Sequence, residues 1–166
     1  MRLPKRYLGF NMKKLLIVLG AVFAVIIIFV IVAAAIFIHR AIKLDHQATA
    51  YLKDALPKIV DHWNSQELVS RATPQLMSVA KSPDEIDRLF VMFGQLGSLK
   101  HLDDPKGTVY SSAYTGQGTA TIGNYTVQAD FEKGPATLKI QLLRVGDGWK
   151  INGFHIDSAV FLPPKT

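Results

Sequence analysis

The chain of 166 residues contains no cysteine. Disulfides, thiolate metal sites and thiol nucleophiles are therefore excluded, and an oxidising compartment is permitted without being required. The short motifs of common chemistries are missing too: no G-x-S-x-G, H-E-x-x-H, phosphate loop or G-x-G-x-x-G occurs. Gly116-Gln117-Gly118 lacks the strand-to-helix setting that a phosphate loop requires. A third absence is positional. The net charge is +6, from 19 Lys and Arg against 13 Asp and Glu, but residues 1–40 carry Arg2, Lys5, Arg6, Lys13, Lys14 and Arg40 with no acid. Residues 41–166 are thus left with 13 basic and 13 acidic side chains and no excess of either sign. A nucleic-acid face needs its cations on the folded domain, so no nucleic-acid partner is expected.

What the chain has in abundance is one apolar run. Leu15–Ile38, LLIVLGAVFAVIIIFVIVAAAIFI, holds 24 residues with no charge, no proline and a single glycine, Gly20. As a helix it reaches roughly 36 Å, more than the ~30 Å hydrocarbon core of a bilayer. A single transmembrane helix at 15–38 is expected, with the lipid bilayer as first partner. Five cations precede it, whereas Arg40 and Lys43 follow before the chain turns acidic at Asp45. The positive-inside rule then puts residues 1–14 in the cytoplasm as a basic tail and the domain on the far side, periplasmic or extracytoplasmic. A cleaved signal peptide is the rival reading, since Ala33-Ala34-Ala35 offers a small-residue site. The apolar stretch before that site is already longer than the usual h-region of about 7–15 residues, which favours an uncleaved anchor. Gly20 and Ala24 form one small-xxx-small pair, of a kind that arises by chance in apolar helices.

Residues 39–160 suffice for one domain with one core, followed by a short tail at 161–166. Its first half reads as helical. Leu44, Ala48, Leu52, Ala55, Leu56, Ile59, Val60 and Trp63 recur at steps of three and four, marking one buried helix face. Pro57 is expected to kink or split that helix near Leu56. Asn64 with Glu67 fits an N-cap and its reciprocal partner, opening a short helix through Leu68, Val69 and Ala72. Pro74 starts another turn carrying Leu76, Met77, Val79 and Ala80. Ser82-Pro83-Asp84-Glu85 is a full helix start, continuing through Ile86, Leu89, Phe90 and Phe93, with Gly94 or Gly97 to end it.

After Gly97 the period changes to two. Strands are expected at Ser98–Leu102, Thr108–Thr115 and Thr119–Phe131, the last alternating Tyr125, Val127, Ala129 and Phe131 with polar residues. Asp103–Gly107 reads as a loop. Glu132-Lys133-Gly134-Pro135 reads as a turn, Leu138, Ile140 and Leu142 as the next apolar face, and Gly146-Asp147-Gly148 as a tight hairpin. In the final strand Trp149 and Ile151 stand on odd positions and Phe154 and Ile156 on even ones. A bulge at Asn152-Gly153 puts all four on one face and curves the sheet. The fold class is α+β: a transmembrane helix, then helices packed on a curved antiparallel sheet of about four strands.

That order of elements, ending in Gly148-Trp149-Lys150-Ile151-x-Gly153-Phe154-x-Ile156, resembles the nuclear transport factor 2-like (NTF2-like) superfamily, a cystatin-like cone of curved sheet around helices, over about residues 45–160. With a basic tail and one span in front, the layout also looks like the VirB8 class of bacterial inner-membrane proteins, which implies a bacterial inner membrane and a periplasmic domain. Superfamily enzymes such as ketosteroid isomerase use carboxylates and a tyrosine inside the cone. Those roles fall on no identified residues of this chain.

The candidate site residues are Tyr110, Tyr114, Tyr125, His155 and Asp157. The three tyrosines are candidates to line a pocket inside the cone with Trp63, Phe90 and Phe93, against the plainer reading that aromatics at such spacing are core. His155 and Asp157 alternate to the same face of the last strand, pointing away from the core as a surface pair. His101 with Asp103 and Asp104 imitates a ligand cluster but reads better as a solvated turn. His46 and His62 are too far apart on one helix to share a metal, and His39 follows the span. Asn124-Tyr125-Thr126 matches a glycosylation sequon, relevant only in a eukaryotic secretory pathway. No cofactor or metal is expected. The leading expectation is a membrane-anchored, non-enzymatic interaction or assembly domain that binds a protein partner or itself as a homo-oligomer. The alternative is a small-ligand-binding or enzymatic cone using an interior pocket.

Overall fold

A long apolar run without a breaker favours a helix, and α1 spans Met12–Val60 in the computed structural model, which describes residues 12–80, 82–114 and 118–162. Most of the basic tail lies outside these residues. The large apolar side chains described between Leu16 and Ile38 are each 46–78% exposed. This helix is long and apolar enough to cross a membrane, with a mean hydropathy of 3.4 in its most apolar window; a helix apolar on every side suits hydrocarbon rather than water. The chain divides into two compact units between Arg40 and Ala41.

Within the second unit, the expected helix face is the buried one. Ala48, Leu52, Ala55, Leu56, Ile59 and Val60 are fully buried, with Leu44 and Trp63 packed at the ends. Each buried leucine contributes about 1.5–3 kcal/mol relative to exposure. Pro57 does not split the helix, which runs on to Val60. Only one backbone donor is lost there, in the last turn, and Pro57 still accepts from the Asp61 N–H at 3.0 Å; burial of Leu56, Ile59 and Val60 outweighs it. The helix ends where the Asn64 N–H reaches back to the Ile59 carbonyl at 2.8 Å while Trp63 adopts a φ of 51°. Glycine normally occupies that left-handed position. Trp63 holds it because its indole N–H donates to the Gly97 carbonyl at 3.1 Å and its ring stacks 5.0 Å from Phe131.

Three short helices follow: α2 at Ser65–Arg71, α3 at Pro74–Val79 and α4 at Pro83–Phe93. Asn64, Thr73 and Ser82 cap them, each side chain accepting a backbone N–H three residues on. Glu67 does not return the Asn64 cap as expected; its carboxylate is drawn to Arg71, one turn along, at 2.9 Å. On α4, Ile86, Phe90 and Phe93 are buried, but Leu89 is exposed, as is Val79 on α3. A turn of 3₁₀ helix, Gly94–Leu96, extends α4, and Gly97 at φ 77° ends it.

The sheet has five strands: β1 Leu99–Leu102, β2 Lys106–Tyr114, β3 Gly118–Phe131, β4 Gly134–Val145 and β5 Gly148–Asp157. All pairings are antiparallel, and the path β1-β3-β4-β5 does not close. The fifth strand arises because β1 and β2 lie end to end on the same side of β3, opposite Phe131–Ala129 and Thr126–Gly118 respectively. Pro105, which has no N–H, interrupts them, although Asp103 still donates to Gln128 at 2.9 Å. Gly107, expected in the loop, belongs to β2. Residues 115–117, at the tip of the β2–β3 hairpin, lie outside the described residues.

The bulge read from the parity change is present. Gly153 pairs with Gln141 and Ile151 with Leu142, so Asn152 is the extra residue. Trp149, Ile151 and Ile156 are consequently buried on one face, with Phe154 packed beside them. Alternation along the strands then gives an inner face, which packs on α1 through Tyr125, Val127, Leu138, Ile140 and Leu142, and an outer face that is polar.

Candidate functional site

The outer face carries an ordered row of uncharged polar groups. Tyr110 on β2, Asn124 on β3, Gln141 on β4 and Asn152 on the bulge of β5 all project there. Asn124 donates to the Tyr110 hydroxyl at 3.1 Å, Gln141 to Asn124 at 3.2 Å, and Asn152 to Gln141 at 2.7 Å. Thr73, fully buried at the head of α3, completes the row by donating to Asn152 at 2.8 Å. Every bond runs in the same sense, so each polarises the next.

Nearer the other end of β5, His155 and Asp157 stand side by side at 2.8 Å, both exposed on this outer face. The Lys139 ammonium, 2.6 Å from Asp157, holds that carboxyl below the usual carboxylate range, with His155 adding to the effect. Open clefts of about 640, 420 and 420 Å³ adjoin these groups, the first beside Gln128, Thr137 and Asp157, the second beside Asn124 and His155, the third beside Tyr110 and Asn152.

Tyr125 points the opposite way. It is 3% exposed on the inner face, and its hydroxyl donates to Asp45 of α1 at 2.6 Å. Burial, and then the Asp45 carboxylate, push its ionisation well above the ordinary tyrosine value. Its ring occupies the space that a side chain on Gly123 would need, since a Cβ there would stand 2.8 Å from Tyr125 Cε2. Tyr114 closes β2, and its side chain lies outside the described residues. The sequence candidates are therefore not one constellation: Tyr110, His155 and Asp157 share the outer face while Tyr125 is spent inside.

The other aromatic candidates are core. Trp63, Phe90 and Phe93 pack on one another at 5.7–6.4 Å, joined by Phe131, Phe154 and Phe161. The His101 cluster divides, with Asp103 3.0 Å from His101 and Asp104 paired instead to Lys53 at 2.8 Å. Among the described residues no group of three His, Asp or Glu is placed to hold a metal. Trp149, buried at the start of β5, has an indole N–H that meets no acceptor among the described residues.

Sequence reasoning missed three features. Asp45 and Tyr125 are 80 positions apart, and the only hint was an acid beside Leu44 on an otherwise apolar helix face. Arg71, held by Glu67 of its own helix at 2.9 Å, links α2 to α1 through Asp54 at 3.3 Å and the Tyr51 ring at 5.7 Å. The amide row was invisible until strand register was known.

The two long edges of the sheet also differ. On β5, Ala72 forms a parallel bridge to Ile151 and the Thr73 N–H donates to the Ile151 carbonyl at 2.9 Å, while α2 and α3 pack alongside. On β2, nine consecutive residues pair with β3 in unbroken register, and no described strand pairs with the other side. Comparison with protein-family profiles, with curated proteins and with solved structures finds no match to this chain.

Proposed function

We propose that this chain is a single-pass membrane-anchored, non-enzymatic interaction or assembly protein. Its basic N-terminus faces the cytoplasm of a bacterium, and its α+β domain, of the NTF2-like type in a VirB8-like layout, stands on the outer side of the inner membrane. The observation that carries the reading is where the polar groups go. Inside, Leu52, Leu56, Leu138 and Leu142 are fully buried and Tyr125 is tied to Asp45, whereas the ordered amides lie on an open face. A ligand pocket in the cone would call for polar groups converging inward. The five cations before the span support the orientation.

Purification of the full-length protein in mild detergent tests the role. The expected result is a homo-oligomer or a co-purifying protein; a strict monomer with nothing bound contradicts it. A topology reporter fused after Thr166 is expected to be active only outside the cytoplasm, and cytoplasmic activity overturns the orientation.

A further inference from the structure

We infer that the free edge of β2 is a self-association surface at which a second copy of this chain adds its own β2, antiparallel, to make one continuous sheet. The inference rests on the interaction reading above and names the partner within it.

An edge strand presents every second N–H and C=O to solvent, ready to pair with another strand, and folded proteins usually blunt it with charge, proline, bulges or cover. The other strand edges here are blunted. β5 has the Asn152 bulge, Lys150, His155 and Asp157, and the Ala72–Ile151 bridge. β1 is four residues long, with a register shift between Leu99 and His101, and Asp103-Asp104-Pro105 follow it. Among the described residues β2 has no bulge, no proline and no second strand or bridge along it. It pairs with β3 over nine residues without a shift, and Lys106 is its single charge. Thr108, Tyr110 and Ser111 are exposed, Tyr110 by 41%.

The composition of β2 matches a copy of itself. An antiparallel pair with its two-fold axis at Tyr110 places Thr108 opposite Ser112, Val109 opposite Ser111, and Tyr110 opposite its twin. The two Lys106 side chains then stand about 27 Å apart, beyond the ~8 Å screening length of physiological salt. No like charges meet. The resulting contact is isologous and closes as a dimer, leaving no second free β2 edge for further growth. Anchoring in one membrane raises the effective concentration of copies for one another.

Because the protein has no cysteine, single cysteines report this contact cleanly. Directly opposed Cβ atoms of an antiparallel pair lie about 4.5–5.5 Å apart, within reach of a short bis-maleimide. Full-length Thr108→Cys, Val109→Cys, Tyr110→Cys, Ser111→Cys and Ser112→Cys variants, in membranes, are treated with that linker beside a Thr137→Cys control on the middle of the outer face. The expected result is a covalent dimer peaking at one β2 position, several-fold above the control. As a second measure, Tyr110→Lys and Tyr110→Glu are each expected to be monomeric alone and to pair when co-expressed. If no β2 position exceeds the control while the full-length protein is still oligomeric or still holds another protein, the edge inference is overturned and the interaction reading stands. If the protein is also strictly monomeric with nothing bound, both fall.

Discussion

The edge of β5 and the edge of β2 belong to one sheet but obey different constraints. On β5 a bulge breaks the strand's regularity, the Thr73 N–H takes the Ile151 carbonyl beside the Ala72 bridge, and α2 and α3 pack alongside. On β2 the same backbone chemistry is left in flat register, with the hydroxyl of Tyr110 held by Asn124 and the ring half open to solvent. That contrast, an edge closed by several devices beside one left open among the described residues, is what the proposed self-association of β2 rests on. The amide row joins the two, running from Thr73 behind β5 across to Tyr110 on β2.

The closed edge breaks most severely at Ile151, which is fully buried beside the bulge and carries the bridge to Ala72. Ile151→Asp puts a charge into that apolar site. The expected loss is about 4 kcal/mol or more, seen as a collapse of the thermal transition in near-ultraviolet circular dichroism; an unchanged Tm would contradict the burial of this edge. Thr73→Val is the next test. It removes the hydrogen bond to Asn152 and the cap on the Leu76 N–H, with an expected cost of about 1–3 kcal/mol, while Thr73→Ser keeps both contacts and most of the stability.

Tyr125 offers a comparison between the inner face and the edges. Its folded-state ionisation lies above that of the unfolded chain, so its contribution is fully present below about pH 10 and is lost as pH rises beyond that, because the unfolded chain gives up the proton first. Tyr125→Phe, which leaves Asp45 without its donor, is expected to flatten this alkaline fall in Tm. The smallest effect belongs to Asp157. With its folded-state value depressed, its contribution is present above the ordinary carboxylate value and is lost as pH falls through the depressed one. An NMR titration of this carboxyl is expected to shift upward more in Lys139→Ala than in His155→Ala.

The local parts of this architecture were legible in the sequence. The long apolar helix, the face of α1 from Leu44 to Trp63, the caps at Asn64 and Ser82, and the bulge at Asn152 all follow from spacing within a few residues, where helix and strand periods leave a direct trace. What was not legible depended on chain segments meeting from afar. The collinearity of β1 and β2 is set by β3, the Asp45–Tyr125 bond by docking α1 on the sheet, and the amide row by the register of four strands. Pro57 does not split α1 for an energetic reason: one lost donor near a helix end is small beside three buried aliphatic side chains.

The most direct measurement of the unequal edges is amide hydrogen exchange on the full-length protein in lipid nanodiscs loaded with one copy or with two. The expected result is strong protection of alternate amides in Lys106–Tyr114 only in the two-copy discs, with β5 unchanged between them. Equal exchange of β2 in both would contradict the account.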